Sequence, residues 1–412
     1  MVYRRILFTI MAAVLCAAAA GCSASTGGTS GEAEETAAGE EWADDPVWSD
    51  EESLKAFVIS DLHYTENREA DGSVVPGIAM AEEITDALLA QVIAEKPDVF
   101  IMTGDNTDSG YADDVSGLVK KLQKVRDAGI PVILTTGNHD FDGMDAAAFE
   151  ERYFGLLTPA DRDAASLSYT AVVKDVVFLA MDDNTVDPGG PGVFCRETMQ
   201  WLEEMLEKYR GHTVIFLSHH NVLYGQGEEG AQTHLIQNPA LPELLRDGGV
   251  RLALTGHMHF QYILETDGLY EILSGMPFSG GHPIGRLAVG EDRIVYLSEP
   301  FDTAFLGNSG AERLQKLDEE SAAYMEQMFA SILDREKVVG YEYNQIMKLI
   351  GQFMECFREG TIAEHAAQIR QEMYYKRMIE VLWDYNYGPW MKSVLEGTKM
   401  SALHLEVPLQ SE

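Results

Sequence analysis

The sequence predicts an α/β protein, a layered α/β domain carrying a helical C-terminal region. Two observations carry this. From Lys55 onward, short apolar runs alternate with amphipathic helical stretches, and the runs end in polar or Gly-rich turns. After Pro300 the alternation stops and helical periodicity takes over. At 412 residues the chain is long enough for a sizeable core and two folded parts.

The elements follow in order. "KAFVIS" reads as a buried strand ending at Asp61, and "MAEEITDALLAQVIAEKP" as a helix stopped by Pro97. "DVFIMT" is the next strand, a second helix covers about 112–128, and "PVILTT" leads to Gly137. "SLSYTAVV" and "VVFLAMDD" read as a hairpin across Lys174 and Asp175. "RETMQWLEEMLEKYR" is an amphipathic helix, and "TVIFLS" and "VRLALT" are strands that each run directly into histidines. "QYILET", "LYEILS", "GRLAVG" and "RIVYLS" complete the unit with antiparallel strands, placing it at 53–300. In 301–412 three long helical stretches, the last being "TIAEHAAQIRQEMYYKRMIEVLWDYN", carry Met and aromatic faces that read as packing surface.

The N-terminus reads as an export signal over 1–21: basic "MVYRR", an apolar stretch, then small residues before Cys22. "AAGC" resembles a bacterial lipobox, in which Cys22 is lipidated; a cleaved soluble signal or an uncleaved anchor are the alternatives. Residues 22–52, rich in Gly, Ser, Thr, Ala and Glu, read as a flexible acidic linker. Cys195 and Cys356 lack CxxC spacing and are expected as two buried thiols. The formal net charge of −37 argues against general nucleic-acid binding. It leaves small phosphate substrates open, because a bound metal reverses the local field.

Five strand ends hold the chemistry. They are Asp61 and His63 in "SDLH", Asp105 in "TGDNTD", Asn138 and His139 in "TTGNHDFDG", His219 in "SHHN", and His257 and His259 in "GHMH". Each has a bland reading as a turn or a hydrogen-bonded core residue, but five in succession do not. If the strands share one sheet and one direction, their C-terminal ends face one crevice. Carboxylate, imidazole and amide oxygen together suit Mn, Fe or Zn rather than a Ca cage or a thiolate site. Two such ions sharing one carboxylate would polarise a bridging water into hydroxide.

In order D-x-H, G-D-x-x-D, G-N-H-D, H-H and G-H-x-H, over 61–259, the chain resembles the calcineurin-like metallophosphoesterase superfamily. That resemblance implies a four-layer α/β/β/α sandwich and a dinuclear centre of divalent or trivalent transition-metal ions. It implies that Asp61, His63 and His259 hold one ion, that Asp105 bridges, and that Asn138, His219 and His257 hold the second. His219 is taken over His220 because the family pattern is His-x-Pro or His-x-Asn, with His220 as the fallback. It further implies that His139 contacts the phosphoryl group and assists the leaving oxygen, oriented by Asp140. His282 in "GMPFSGGHPIG" is either a substrate contact or a turn residue.

Signal, linker, motifs and helical tail together are similar to bacterial class III cyclic-nucleotide phosphodiesterase-like lipoproteins. The expected function is a phosphoester hydrolase acting on a small phosphate ester, exported and anchored to the outer face of a bacterial membrane through Cys22. A phosphodiesterase is expected first, a phosphomonoesterase second, and a non-catalytic surface binding lipoprotein third. A nuclease conflicts with the charge.

Overall fold

The computed structural model describes Trp48 and residues 54–66, 76–224, 234–278 and 280–409. The expected signal, Cys22 and the linker apart from Trp48 lie outside the described residues. Trp48, expected in the linker, is buried, with its ring 5.2 Å from the guanidinium of the fully buried Arg286. No described helix is long and apolar enough to cross a membrane.

Two sheets face one another. The first is built on the parallel strands β1 (Leu54–Ile59), β2 (Val99–Met102) and β3 (Val132–Leu134). The second is built on β4 (Asp161–Arg162), β5 (Tyr169–Val173), β6 (Val176–Ala180), β7 (Thr213–Leu217), β8 (Leu252–Thr255), β9 (Tyr262–Thr266) and β10 (Leu269–Leu273), in the order β4-β5-β6-β7-β8-β10-β9. The chain then returns to the first sheet through β11 (Pro283–Val289), β12 (Arg293–Pro300) and β13 (His404–Pro408), giving the order β13-β12-β11-β1-β2-β3.

Helices cover the outer faces, and those of the C-terminal region build an apolar core of their own. They are α1 (Ala81–Glu95), α2 (Ala112–Asp127), α3 (Ala146–Tyr153), α4 (Arg196–Lys208) and α5 (Leu241–Asp247), followed by α6 (Gly307–Arg335), α7 (Gly340–Arg358), α8 (Ile362–Gln371), α9 (Tyr375–Val381) and α10 (Tyr387–Gly397). The layering is written in the period of two along each strand. Val177 and Leu179 of β6 and Val214 and Phe216 of β7 join Leu202, Leu206 and Leu245 of α4 and α5 in one apolar cluster. Their neighbours Phe178, Ala180, Ile215 and Leu217 join the main core with Phe57, Phe100 and Ile133 of the other sheet. That core also takes Ile84, Leu88, Leu118 and Leu122 from α1 and α2, giving α/β/β/α.

Four expectations are corrected. The strand ends that carry the polar residues belong to two sheets, not one, so the crevice forms where two parallel edges meet. The helical stretch read over 361–386 is interrupted between α8 and α9, where Glu372 turns extended (φ −64°, ψ 141°) and Met373 is 86% exposed. The tail is not all helix: β13 pairs antiparallel with β12, from Arg293↔Pro408 to Leu297↔His404. Its alternation "HLEVP" buries Leu405 and Val407 and exposes the residues between. Cys195 and Cys356 are free but half-buried rather than buried, and Cys195 Sγ caps α4 by accepting from Thr198 N at 3.4 Å.

Candidate metal centre

The strand ends are held together by backbone. Asp61 N donates to Gly104 O at 3.1 Å, His63 N to Asp105 O at 2.9 Å and Gly256 N to His219 O at 3.0 Å, extending the ladders past the strands. The glycines of "GNHD" and "GHMH" are there for close approach. A Cβ on Gly137 would stand 2.0 Å from Asp105 N, and one on Gly256 would stand 1.9 Å from Ser60 Oγ. Asp61, His63, Asp105, His257 and His259 all have positive φ, between 41° and 69°. Asp and His tolerate this region better than most residues, yet it is strained for any side chain, and such strain concentrates at functional sites.

Two sets of atoms converge on Asp105 Oδ2. In the first, His63 Nε2 is 3.5 Å from Asp105 Oδ2 and 3.1 Å from His259 Nε2, which is 3.4 Å from Asp61 Oδ1. In the second, His219 Nε2 is 3.3 Å from Asp105 Oδ2 and 3.1 Å from Asn138 Oδ1, while His257 Nδ1 is 3.0 Å from the same amide oxygen and 3.2 Å from His219 Nε2. The seven residues expected as ligands are therefore brought together, with Asp105 common to both sets. Asp61 also ties the sheets by accepting from His257 N at 3.1 Å.

The donor chemistry fits metal ions. His219 Nδ1 lies 3.0 Å from the Thr103 carbonyl, an acceptor only, so in the neutral ring the proton sits on Nδ1 and the Nε2 lone pair faces inward. It meets a carboxylate oxygen, an amide oxygen and another imidazole nitrogen, all of which offer lone pairs. Asp105 Oδ2 is buried and receives no hydrogen bond. A cluster of lone pairs without protons to share is stabilised by cations. Asp61, His63, Asp105 and His259 have ligand atoms mutually within 4.8 Å.

Electrostatics point the same way. Burial pushes the His63 imidazole down to about 3, and burial followed by the charges of His220 and His219 holds His257 well below the ordinary range, keeping both neutral. Burial opposes ionisation of Asp105, but the imidazoles of His219, His139 and His63 outweigh it and hold the carboxyl well below its usual value. Burial opposes charging of His219, but Asp105 raises it to about 10, so without a cation the ring draws a proton to Nε2, at the place where the other lone pairs converge.

Other expectations move. Asp140 does not orient the His139 ring. Its carboxylate accepts from Gly137 N, from Asn106 N and Nδ2, and from Thr107 N and Oγ1, all between 2.8 and 3.2 Å. Successive residues of the short 3-10 turn His139–Phe141 diverge, so Asp140 points inward to the turn carrying Asp105. The His139 Nδ1 instead lies 3.0 Å from the Asp108 carbonyl and 3.6 Å from Asp142 Oδ2. Asp108 Oδ1 is also 3.5 Å from His63 Nδ1, a position that steadies both rings. It is the last residue of "GDNTD", a signal the sequence already displayed.

The histidine that joins the converging atoms is His219. His220 is buried with its ring 4.3 Å from that of His257, its Nδ1 3.4 Å from Asp183 Oδ2, and neither ring nitrogen hydrogen-bonded. Both ring nitrogens of His282 are engaged within the chain, as expected of a turn residue. Its Nδ1 meets the Pro277 carbonyl at 3.0 Å and its Nε2 the Asp318 carboxylate at 2.9 Å, pinning the loop to α6.

Residues 54–261, half of the chain, match the calcineurin-like phosphoesterase family. The chain belongs to this family. It is 26% identical over 168 residues to a protein of Moraxella catarrhalis named "Probable cyclic nucleotide phosphodiesterase", covering 40% of this chain and 58% of that one. It is 29% identical over 167 residues to a protein of Arcobacter nitrofigilis named "Probable glycerophosphodiester phosphodiesterase GpdQ", covering 40% and 57% respectively. The chain thus spans under two-thirds of the length of these relatives. Among solved structures it is similar to a dimetal phosphatase from Danio rerio, with 16% identity, a TM-score of 0.49, and coverage of 62% of this chain and 97% of that one.

Proposed function

We propose that this family member is a metal-dependent phosphoester hydrolase with a dinuclear centre, acting as a phosphodiesterase on a small phosphate ester outside the cytoplasm. The observation that carries the reading is the meeting of two ligand sets on Asp105 Oδ2, with His139 beside them: its ring is 4.7 Å from that of His63. Asp61, His63, His259 and Asp105 would hold one ion, and Asp105, Asn138, His219 and His257 the other. Ions of the Mn, Fe or Zn type supply positive charge toward a phosphoryl oxygen and make water a competent nucleophile near neutral pH.

The chain's own residues do the rest. Asp61 and Asp105 would fix the negative charge that recruits the ions, burial keeps His63 and His257 neutral, and the outer nitrogens of His219 and His63 face the Thr103 carbonyl and Asp108. His139 keeps Nδ1 on the Asp108 carbonyl, which leaves Nε2 as the atom that gives a proton to the leaving oxygen. The Asp142 carboxylate stands on the same side of the ring, 3.6 Å from Nδ1. The two relatives named as phosphodiesterases support a diester over a monoester. The apolar leader before Cys22 supports export and a lipid anchor in a membrane, and the net charge of −37 argues against nucleic acid as substrate.

The test is turnover of Mn(II)-loaded protein on p-nitrophenyl phosphate, its bis ester, and 3′,5′- and 2′,3′-cyclic AMP. Preference for the bis or cyclic esters, abolished by Asp105→Asn and by His139→Ala, is expected. Preference for the monoester makes the protein a phosphatase, and full activity in Asp105→Asn overturns the site.

A further inference from the structure

We infer that the C-terminal helical region is a positioning element of the metal centre, holding segment 257–259 in place through Met258 and Phe260. This rests on the reading of His257 and His259 as ligands, and goes beyond it by giving the helices a part in the chemistry's geometry. Both histidines sit at positive φ, 69° and 61°, a conformation a free loop would leave. What keeps them there is the environment of the residues between and after them.

Met258 and Phe260 are each only 7% exposed, and their side chains belong to the apolar core of the helical region, not to the core between the sheets. The Phe260 ring lies 4.9 Å from that of Phe357 on α7. Phe357 in turn meets Trp390 on α10 at 5.0 Å. In this bent segment Met258 and Phe260 are turned into the helices, while the His257 ring meets Asn138 and His219 and the His259 ring meets His63 and Asp61. The next two residues repeat the attachment. Gln261 Nε2 donates to the Ala402 carbonyl at 3.1 Å, and the Tyr262 hydroxyl meets Thr398 Oγ1 at 2.7 Å. From the opposite side the segment is held by Asp61, which accepts from His257 N. The H-x-H segment is therefore a spacer between the two cores, and helix packing sets where its imidazoles stand.

The experiment separates positioning from plain stability by comparing two cavities in one helix. Phe357→Ala empties the contact with Phe260. Ile346→Ala empties an equally buried place 11 residues earlier on α7, roughly 16 Å along the axis. Mn(II) dissociation constants of the full chain are measured by calorimetric titration beside the apo-protein's thermal midpoint. Expected is a loss of Mn(II) affinity of about tenfold or more in Phe357→Ala, recovered to within about threefold in Phe357→Leu, while Ile346→Ala lowers the midpoint with affinity nearly unchanged. Should Phe357→Ala not fold, Phe260→Leu takes its place, with a smaller loss in the same direction. Equal loss of affinity in both cavities, or none in either, overturns the inference. His257→Ala distinguishes the two levels. If it leaves Mn(II) binding intact, the ligand reading itself fails; if it weakens binding while Phe357→Ala does not, only the positioning role fails.

Discussion

Asp140→Asn decides what the last residue of "GNHD" is for. In the structure its carboxylate gathers donors from two turns. Oδ2 takes Asn106 N, Asn106 Nδ2 and Gly137 N, and Oδ1 takes Thr107 N and Oγ1. An amide can keep its oxygen on the first group, which points its NH2 at Thr107. The hydroxyl of Thr107 can rotate to accept, but the backbone N–H cannot, and one buried donor facing another costs about 1–3 kcal/mol. Asp140→Ala would orphan the backbone N–H groups of Asn106, Thr107 and Gly137 together, a large share of the ~5–15 kcal/mol of an ordinary domain. The isosteric change is therefore the informative one. The assay is urea unfolding of the metal-free wild type, Asp140→Asn, His139→Ala and the double variant. Because Asp140 holds backbone and not the His139 ring, the two losses should add to within about 0.5 kcal/mol. A coupling above about 1 kcal/mol would refute this and return Asp140 to the role of orienting the imidazole.

Three further outcomes are expected. Gly137→Ala, whose Cβ would stand 2.2 Å from Asp105 Oδ1, should weaken Mn(II) binding at least about tenfold; an unchanged dissociation constant would show that the strand ends give way freely. His282→Ala should cost about 1–2 kcal/mol in unfolding experiments by losing Asp318, with KM unchanged, and a marked rise in KM would bring back a substrate contact. His234, buried beside Tyr224, is held down to about 4 by burial and by the charge of His220. Its unfolded value near 6.5 is higher, so the unfolded chain binds the extra proton and stability is full above pH 6.5 and lost as pH falls toward 4. The loss is about 3 kcal/mol at most, and His234→Gln should flatten the urea midpoint between pH 7 and 4.5; an unchanged slope would remove His234 as its cause.

Most of the scaffold was legible because strands and helices bury their faces with regular periods. "VVFLA" and "TVIFL" are apolar on both faces since one faces helices and the other the opposing sheet. What periodicity does not encode is which sheet a strand joins, so the partition of the strand ends between two edges waited for the structure. Strand β13 was missed because five residues ending in a proline are too few to outweigh the helical stretches preceding them. At the site, residue types and spacing located the seven converging residues, since each lies at a strand end and the fold dictates where strands stop. Orientation was not readable. Adjacent side chains in a turn face different ways, which is why Asp140 reaches the Asp105 turn and Asp108 meets the His139 ring, and why His219 rather than its neighbour faces Asp105.

The distribution of the ligands along the chain has a consequence for how the protein is made. His63 and His259 touch in space but lie 196 residues apart in sequence, on elements of different sheets. A nascent chain that has delivered Asp61, His63, Asp105 and Asn138 holds half a site, and the rest appears only when the second sheet closes on the first. Strand β13, which flanks the first sheet, arrives later still. On the reading proposed above, ions would be gathered only once the second sheet has closed on the first, so the metals taken up would be those of the place where that closure happens rather than those met by the emerging N-terminal half.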